Sequence, residues 1–291
     1  MSIYPGVVSG TVDAAGATVG YYDGGQRGSG PVIVMVHGTG GRTDTHFFTL
    51  YPMLASRRRV IGVDLSAQAS GEEPLIVDHL AAQVRAVLDA VVPGQPVVLV
   101  GYSLGAATVA VLAAKHPELV EALVLLNGWA VTDHALRLRL SLWRRLYEQG
   151  PSGALAEFMM LNVYSRAWLN ARSWSEIEQL RTAYQVGPGS NRMMELNNAL
   201  DISSSLSGIQ ARTLVIGSTF DQLIPVGHSR ELFGAITDAR FAEIGSGHAS
   251  VTERPAEIFH LIDHFIREPQ DHPAGTVVGD DVLQQLNRLQ K

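Results

Sequence analysis

Val97-Val98-Leu99-Val100-Gly101-Tyr102-Ser103-Leu104-Gly105 runs an apolar segment straight into Gly-x-Ser-x-Gly, and the alanine-rich stretch Ala106 to Lys115 follows before His116-Pro117. An unbroken run of branched apolar residues reads as a strand covered on both faces, and the stretch after it reads as a helix. The two glycines let the chain turn sharply between strand and helix without a side chain striking neighbouring backbone. That turn would hold Ser103 out at the carboxyl edge of a sheet. The first N–H groups of the helix, carrying the positive end of its dipole, would face any oxyanion formed there.

Similar apolar runs recur along the chain. Pro31 to Val36, Arg59 to Leu65, Pro96 to Val100, Ala122 to Leu126, Arg212 to Ile216 and, more weakly, Arg240 to Ile244 read as buried parallel strands. An earlier pair, Val7 to Val12 and Ala17 to Tyr22, flanks an Asp-Ala-Ala-Gly turn and reads as an antiparallel edge hairpin. Helical spacing fills the gaps. Asp78 to Val92 places Leu80, Val84, Val87, Leu88 and Val91 on one face with Asp78 as N-cap, and Pro255 to Ile266 opens on a proline. Strand alternates with helix, the layout of an α/β fold. The rhythm stops between Trp129 and Leu206, where no strand-like run occurs and Pro151, Gly153, Pro188 and Gly189 divide a helical pattern into three or four helices. The expected organisation is therefore a core over residues 1–128 and 207–268, a helical insertion over 129–206, and a tail over 269–291 with a short polar helix pattern.

A serine hydroxyl is a poor nucleophile at neutral pH and needs a base in hydrogen-bond reach, itself oriented by a third group. Of ten histidines, His248 stands out because Gly245-Ser246-Gly247-His248 is a glycine-flanked loop directly after the last strand run. Asp221, in Phe220-Asp221-Gln222-Leu223-Ile224-Pro225, likewise follows the strand at Thr213 to Ile216. Both would lie on the same sheet edge as Ser103. An oxyanion hole needs two convergent backbone N–H groups. Leu104 supplies one candidate, and Thr39, in Val36-His37-Gly38-Thr39-Gly40-Gly41, the other. Gly38, Gly40, Tyr102, Trp129 and Met159 (or its neighbour Met160) are candidate substrate contacts. His37 reads as a support for its loop, and Asp44 and His46 as loop or helix-cap residues.

The His37-Gly38 loop, the Gly-x-Ser-x-Gly turn, the Asp-x-x-x-Pro at Asp221 and the Gly-His at His248 together resemble the α/β-hydrolase fold family, over about Gly24 to Ile266. The order serine, acid, histidine along the chain is part of that resemblance. It implies an eight-stranded, mostly parallel sheet with a helical cap between the sixth and seventh strands, a site between core and cap, and no cofactor. Serine in place of aspartate at the turn argues against the carboxylate-nucleophile chemistries of haloalkane dehalogenases and epoxide hydrolases. Many relatives carry Asp-x-x-Gly-x-Gly-x-Ser after the strand that ends here at Asp64. This chain reads Asp64-Leu65-Ser66-Ala67-Gln68-Ala69-Ser70-Gly71, so it points to no named subfamily or substrate.

The expected activity is hydrolysis of a carboxylic ester, lactone or thioester of a fairly apolar small molecule through an acyl-enzyme. The same three side chains could serve carbon–carbon bond hydrolysis, acyl transfer or lyase chemistry, and a non-catalytic ligand-binding protein on this fold is a third reading. With 291 residues, 46% of them apolar, the chain can bury one large core. A net charge of −6 argues against nucleic acid as a partner. The absence of cysteine excludes disulfides, thiolate metal sites and a cysteine nucleophile. No segment approaches the roughly 18 to 20 apolar residues of a membrane span, and Met1 to Gly10 lacks the pattern of a signal peptide, so a cytoplasmic monomer or homodimer is expected. His260 and His264 share one helical turn but lack a third ligand and read as a solvated face, so no metal is expected. Leu136 to Leu146 reads as an amphipathic helix packed on the core in preference to a membrane-surface helix.

Overall fold

The structure, a computed structural model, describes residues 3–14, 16–28, 30–68, 73–150, 153–186 and 189–279. The polar pattern near the end of the tail, together with Ala69, Ser70, Gly71, Pro151 and Pro188, lies outside the described residues. The strands are β1 (Val8–Ala14), β2 (Ala17–Gly25), β3 (Ile33–Val36), β4 (Arg59–Asp64), β5 (Val97–Tyr102), β6 (Val120–Leu126), β7 (Arg212–Ser218), β8 (Ala239–Ile244) and β9 (Val277–Val278). They form one sheet in the order β1-β2-β4-β3-β5-β6-β7-β8-β9. β1 and β2 pair antiparallel as a hairpin, β2 pairs antiparallel with β4, and every pairing from β4 to β9 is parallel.

The buried parallel strands explain the unbroken apolar runs. Along β3, Val34 and Val36 enter one core cluster while Ile33 and Met35 enter the other. In β5, Leu99 goes one way and Val98 and Val100 go the other. Both faces are dry because helices cover each. α1 (Thr43–His46) and α2 (Leu50–Ala55) lie between β3 and β4, and α3 (Val77–Val91) and α4 (Leu104–Lys115) flank β5. α3 and α4 supply the first cluster, including Leu80, Val84, Val109 and Leu112. Leu50 and Leu54 of α2 enter the second.

Among the described residues, six helices fill the interval between β6 and β7, where the sequence pattern suggests three or four. They are α5 (His134–Glu148), α6 (Gly153–Val163), α7 (Arg166–Asn170), α8 (Trp174–Ala183), α9 (Ser190–Ala199) and α10 (Ser203–Leu206). The extra boundaries come from serine caps. Ser165 accepts from the Trp168 N–H, and Ser173 with Glu176 forms a capping box. α5 packs through Leu136, Leu140 and Trp143, the buried stripe expected of a helix lying on a core. The two ends of the interval are tied together by backbone bonds from Thr132 N to Leu200 O (3.0 Å) and from Ile202 N to Ala130 O (2.9 Å). After β7 come α11 (Val226–Ala235), α12 (Ser250–Glu253) and α13 (Pro255–Arg267). Ile258, Ile262 and Phe265 of α13 join the second cluster.

Two local expectations change. Asp78 is not the N-cap of α3; Ile76 is, and Asp78 sits in the first turn with its carboxylate 2.8 Å from Lys115 Nζ. That position still suits the helix dipole. The sheet also gains a ninth strand, because part of the tail returns and pairs Val277 with Phe241 and Val278 with Ala242 at the edge. On α13, His264 pairs with Asp271 at 3.1 Å, and no group of three or more His, Asp or Glu side chains among the described residues is placed to hold a metal. No helix among them is long and apolar enough to cross a membrane.

Candidate active site

The strand order reverses direction at β3 and β5, and in open parallel sheets ligands bind where the carboxyl ends of such strands diverge. Ser103 occupies that point. It follows β5 directly, with φ 57° and ψ −121°, and α4 starts at the next residue. Among the described residues only Ser103 and Asn127 combine a side chain with positive φ. Such a conformation costs about 1–2 kcal/mol and persists only where the surroundings hold it. Gly105 shows how tightly they do so: a Cβ there would lie 2.1 Å from the Val36 carbonyl oxygen and 2.6 Å from that of His37. Glycine lets α4 press against the end of β3.

His248 and Asp221 come to the same edge from the loops after β8 and β7. His248 Nδ1 donates to Asp221 Oδ2 at 2.7 Å, and its Nε2 accepts from Ser103 Oγ at 3.0 Å. The other Asp221 oxygen, Oδ1, accepts the N–H groups of Leu223 (2.9 Å) and Ile224 (2.7 Å). All three residues are buried. Asp221 therefore fixes which ring nitrogen carries the proton, and the unprotonated one faces the serine hydroxyl.

The ring is aimed by its own backbone. The His248 carbonyl accepts from Tyr102 OH (2.9 Å) and Asn127 Nδ2 (2.8 Å). Asn127 Nδ2 also reaches Ser250 Oγ (3.0 Å), while Asn127 Oδ1 accepts from Ser218 Oγ (2.9 Å), which lies 2.9 Å from Ser246 Oγ. Asn127, with φ 49°, thus ties the end of β6 to the loops after β7 and β8. A second brace comes from the helices between β6 and β7. Glu253 accepts the N–H groups of Ser165 (2.7 Å) and Gly247 (3.2 Å) and the Ser165 hydroxyl (2.6 Å), and Ala249 N donates to Val163 O at 2.7 Å.

His37 is fully buried, with Nδ1 donating to the Gly38 carbonyl (2.8 Å) and Nε2 accepting from Leu65 N (2.9 Å). Burial depresses its pKa, so it is a neutral strut under the loop. His46 belongs to the site, contrary to the loop or cap reading. Its Nδ1 accepts the Gly38 N–H (3.2 Å), its ring stands edge-on to Tyr102, and its side chain lines the cavity above Ser103. Desolvation, with His37 and His248 nearby, lowers its pKa to about 3. The Tyr102 hydroxyl is pushed well above its ordinary range by burial and by Asp221, and stays protonated as a donor.

The cavity over Ser103 has a volume of about 210 Å³. Thr39, Gly40, Tyr102, Trp129 and Met159 line it together with Ser103 and His248, while Met160 does not. Gly38 is not a wall of the cavity; it packs against Ser103, where a Cβ would lie 2.8 Å from the serine Cβ. Thr39 N makes no hydrogen bond among the described residues, and Leu104, opening α4, has no carbonyl one turn earlier to bind. A wider groove adjoins the cavity across Gly40, Thr45, His46, Gln185 and Val186.

A family model described as the alpha/beta hydrolase fold matches residues 31–255. The chain is 31% identical over 248 residues to the pyrrolizixenacetamide deacetylase of Xenorhabdus hominickii, covering 82% of this chain and 92% of that protein. Among solved structures it is similar in fold to MGS-M2, an alpha/beta hydrolase enzyme from a Medee basin deep-sea metagenome library, with a TM-score of 0.76, 22% identity and coverage of 85% and 94%. The enol-lactonase of Burkholderia xenovorans LB400 is comparably similar, with a TM-score of 0.75, 21% identity and coverage of 89% and 100%. The family match over most of the chain, joined to the sheet order and the deacetylase relative, makes this protein a member of the alpha/beta hydrolase fold family and a hydrolase.

Proposed function

We propose that the chain is a serine hydrolase that cleaves a carboxylic ester, lactone or thioester of a fairly apolar small molecule through an acyl-enzyme, with residues 129–206 acting as its cap. The observation that carries this reading is the bonded series Asp221–His248–Ser103, with spacings of 2.7 and 3.0 Å. Ser103 Oγ attacks the substrate carbonyl as His248 Nε2 takes the hydroxyl proton. Negative charge grows on the carbonyl oxygen, which the N–H groups of Thr39 and Leu104 receive. The imidazolium, held by Asp221, returns the proton to the leaving group, and water repeats the sequence to release the acid.

The similarity to a protein named as a deacetylase of an acetamide favours a second substrate class for the same site, N-acyl compounds. Here the leaving group is an amine, and proton return from His248 becomes more demanding. The test is stoichiometric labelling by a fluorophosphonate, followed by turnover of matched ester, thioester and acetamide substrates. Labelling should vanish in Ser103→Ala, with turnover falling about a millionfold. A Ser103→Ala protein that labels as well as wild type would refute the assignment.

A further inference from the structure

The proposed mechanism leaves Tyr164 unused, although its side chain lines the cavity together with Ser103 and His248. Tyr164 sits in the break between α6 and α7 and is held in place on several sides. Its backbone N–H donates to Met160 O (3.1 Å), while its neighbours Val163 and Ser165 are bonded to Ala249 and to Glu253. Its ring stacks on Trp168, with centroids 4.1 Å apart and planes 6° from parallel, and the Arg172 guanidinium lies over the Trp168 ring at 3.1 Å. Phenol, indole and guanidinium, four residues apart, form one stack that fixes the phenol. Burial and the nearby Glu253 carboxylate raise the Tyr164 pKa, so its hydroxyl stays protonated as a donor. That hydroxyl has no hydrogen-bond partner among the described residues and is not sealed away from open space.

The backbone around His248 indicates which part of a substrate Tyr164 meets. Gly247, the residue before His248, packs directly on it: a Cβ there would lie 2.7 Å from the Tyr164 carbonyl carbon and 2.6 Å from both Val163 O and Ser165 N. Ala249, the residue after His248, donates its N–H to Val163 O at 2.7 Å. Tyr164 therefore belongs to the His248 side of the cavity. The leaving group takes its proton from His248, so it is the part of the substrate that stands on that side. At about 210 Å³ the cavity is smaller than the roughly 300–1,000 Å³ common for ligand pockets, so a group on its wall reaches atoms close to the scissile bond. We infer that Tyr164 is a specificity-determining residue whose phenolic O–H donates a hydrogen bond to an acceptor oxygen on the leaving group. Alcohols or amines that carry an ether or carbonyl oxygen near the scissile bond are then preferred over plain alkyl ones, because a donor already fixed in place loses little freedom on binding. This inference rests on the acyl-enzyme reading of Ser103.

The test follows acid release from butyrate esters whose alcohols exchange one methylene for an ether oxygen: 2-methoxyethyl against butyl, and 3-methoxypropyl against pentyl. Ethyl methoxyacetate against ethyl butyrate makes the same exchange on the acyl side as a control, and each kcat/KM is divided by the ester's alkaline hydrolysis rate. Wild type should favour the ether alcohol in at least one of the two alcohol pairs by roughly three- to tenfold. Tyr164→Phe, which keeps the stacked ring and removes only the hydroxyl, should reduce that preference to about twofold or less and leave the acyl pair's ratio unchanged. A wild type with no preference in either alcohol pair overturns the inference, whether or not the variant folds. So does a Tyr164→Phe enzyme that keeps the preference, that shifts the alcohol and acyl ratios alike, or that slows every ester equally, the last being the signature of a purely structural residue. Fluorophosphonate labelling keeps the two readings apart: a wild type that is not labelled at Ser103 sinks the acyl-enzyme reading, whereas labelling without alcohol-side selectivity sinks only the role of Tyr164.

Discussion

Gly38→Ala should leave the protein folded and misplace its serine. The backbone of Gly38 is not in the left-handed region, so alanine is conformationally allowed there. The added Cβ would lie 2.8 Å from Ser103 Cβ, 3.3 Å from Ser103 Oγ and 3.2 Å from the Tyr102 carbonyl oxygen. Ordinary carbon–carbon contact is about 3.5–4.0 Å, so the two chains must part by about 0.7–1.2 Å. Ser103 supplies two of these three contacts, and it starts 3.0 Å from His248 Nε2. A shift of Ser103 by that amount away from His248 carries the pair beyond the roughly 2.6–3.2 Å within which a base takes a proton efficiently. A displacement of this size costs about 100-fold in kcat, and the overpacking costs about 1–3 kcal/mol of stability. Steady-state kinetics on a p-nitrophenyl ester, the fluorophosphonate labelling rate and urea unfolding read the three effects separately. A folded Gly38→Ala enzyme with kcat within threefold of wild type would refute the claim that this close approach positions the serine.

Asn127→Gly removes the bonds to His248, Ser250 and Ser218 while tolerating φ 49°, and should destabilise by about 2–3 kcal/mol in urea unfolding. Asn127→Ala should cost about 1 kcal/mol more, because alanine must also adopt the left-handed backbone; equal stabilities would show that φ is not constrained there. Glu253→Ala strands the N–H groups of Ser165 and Gly247 and should cost about 1–3 kcal/mol together with a severalfold loss in kcat, read from the same two assays. Stability should fall with acid through the depressed histidines. His37 and His46 are neutral in the folded chain and titrate near the ordinary histidine value of about 6.5 when unfolded, so below that pH the unfolded state binds more protons. Their contribution is intact above about pH 6.5 and is lost as the pH falls, for His46 toward pH 3, at no more than about 1.4 kcal/mol per pH unit for each group. Urea midpoints measured from pH 7 to pH 4 should show this slope, and His46→Gln should flatten it; a slope unchanged by that substitution would argue against the low pKa of His46.

The fold was legible because burying strands on both faces leaves unbroken apolar runs, and each run named from Pro31 to Ile244 overlaps a strand of the sheet. Ser103, Asp221 and His248 were legible for a related reason: each follows such a run, so topology alone carries them to one edge. The partners that aim them were not. Asn127 acts through a left-handed backbone and bonds to residues 121 and 123 positions away, and no local pattern encodes a bond of that span. The Asn-Gly after an apolar run was its one available signal, since asparagine tolerates positive φ. His46 looked like a cap residue because its neighbour across the site, Gly38, offers only a backbone N–H. Ser173-x-x-Glu176 could have been read as a capping box and would have raised the helix count. The two-residue β9 is too short for any periodicity to mark it.

Glu253 and the Ala249–Val163 bond fasten the helices over the cavity to the very loop that carries the imidazole. The ends of α6 and α7 and residues 247 to 249 are therefore held by one set of bonds, and a displacement of those helices would pull on the loop that positions His248. On the proposed mechanism, seating those helices and aiming the imidazole at Ser103 become one requirement.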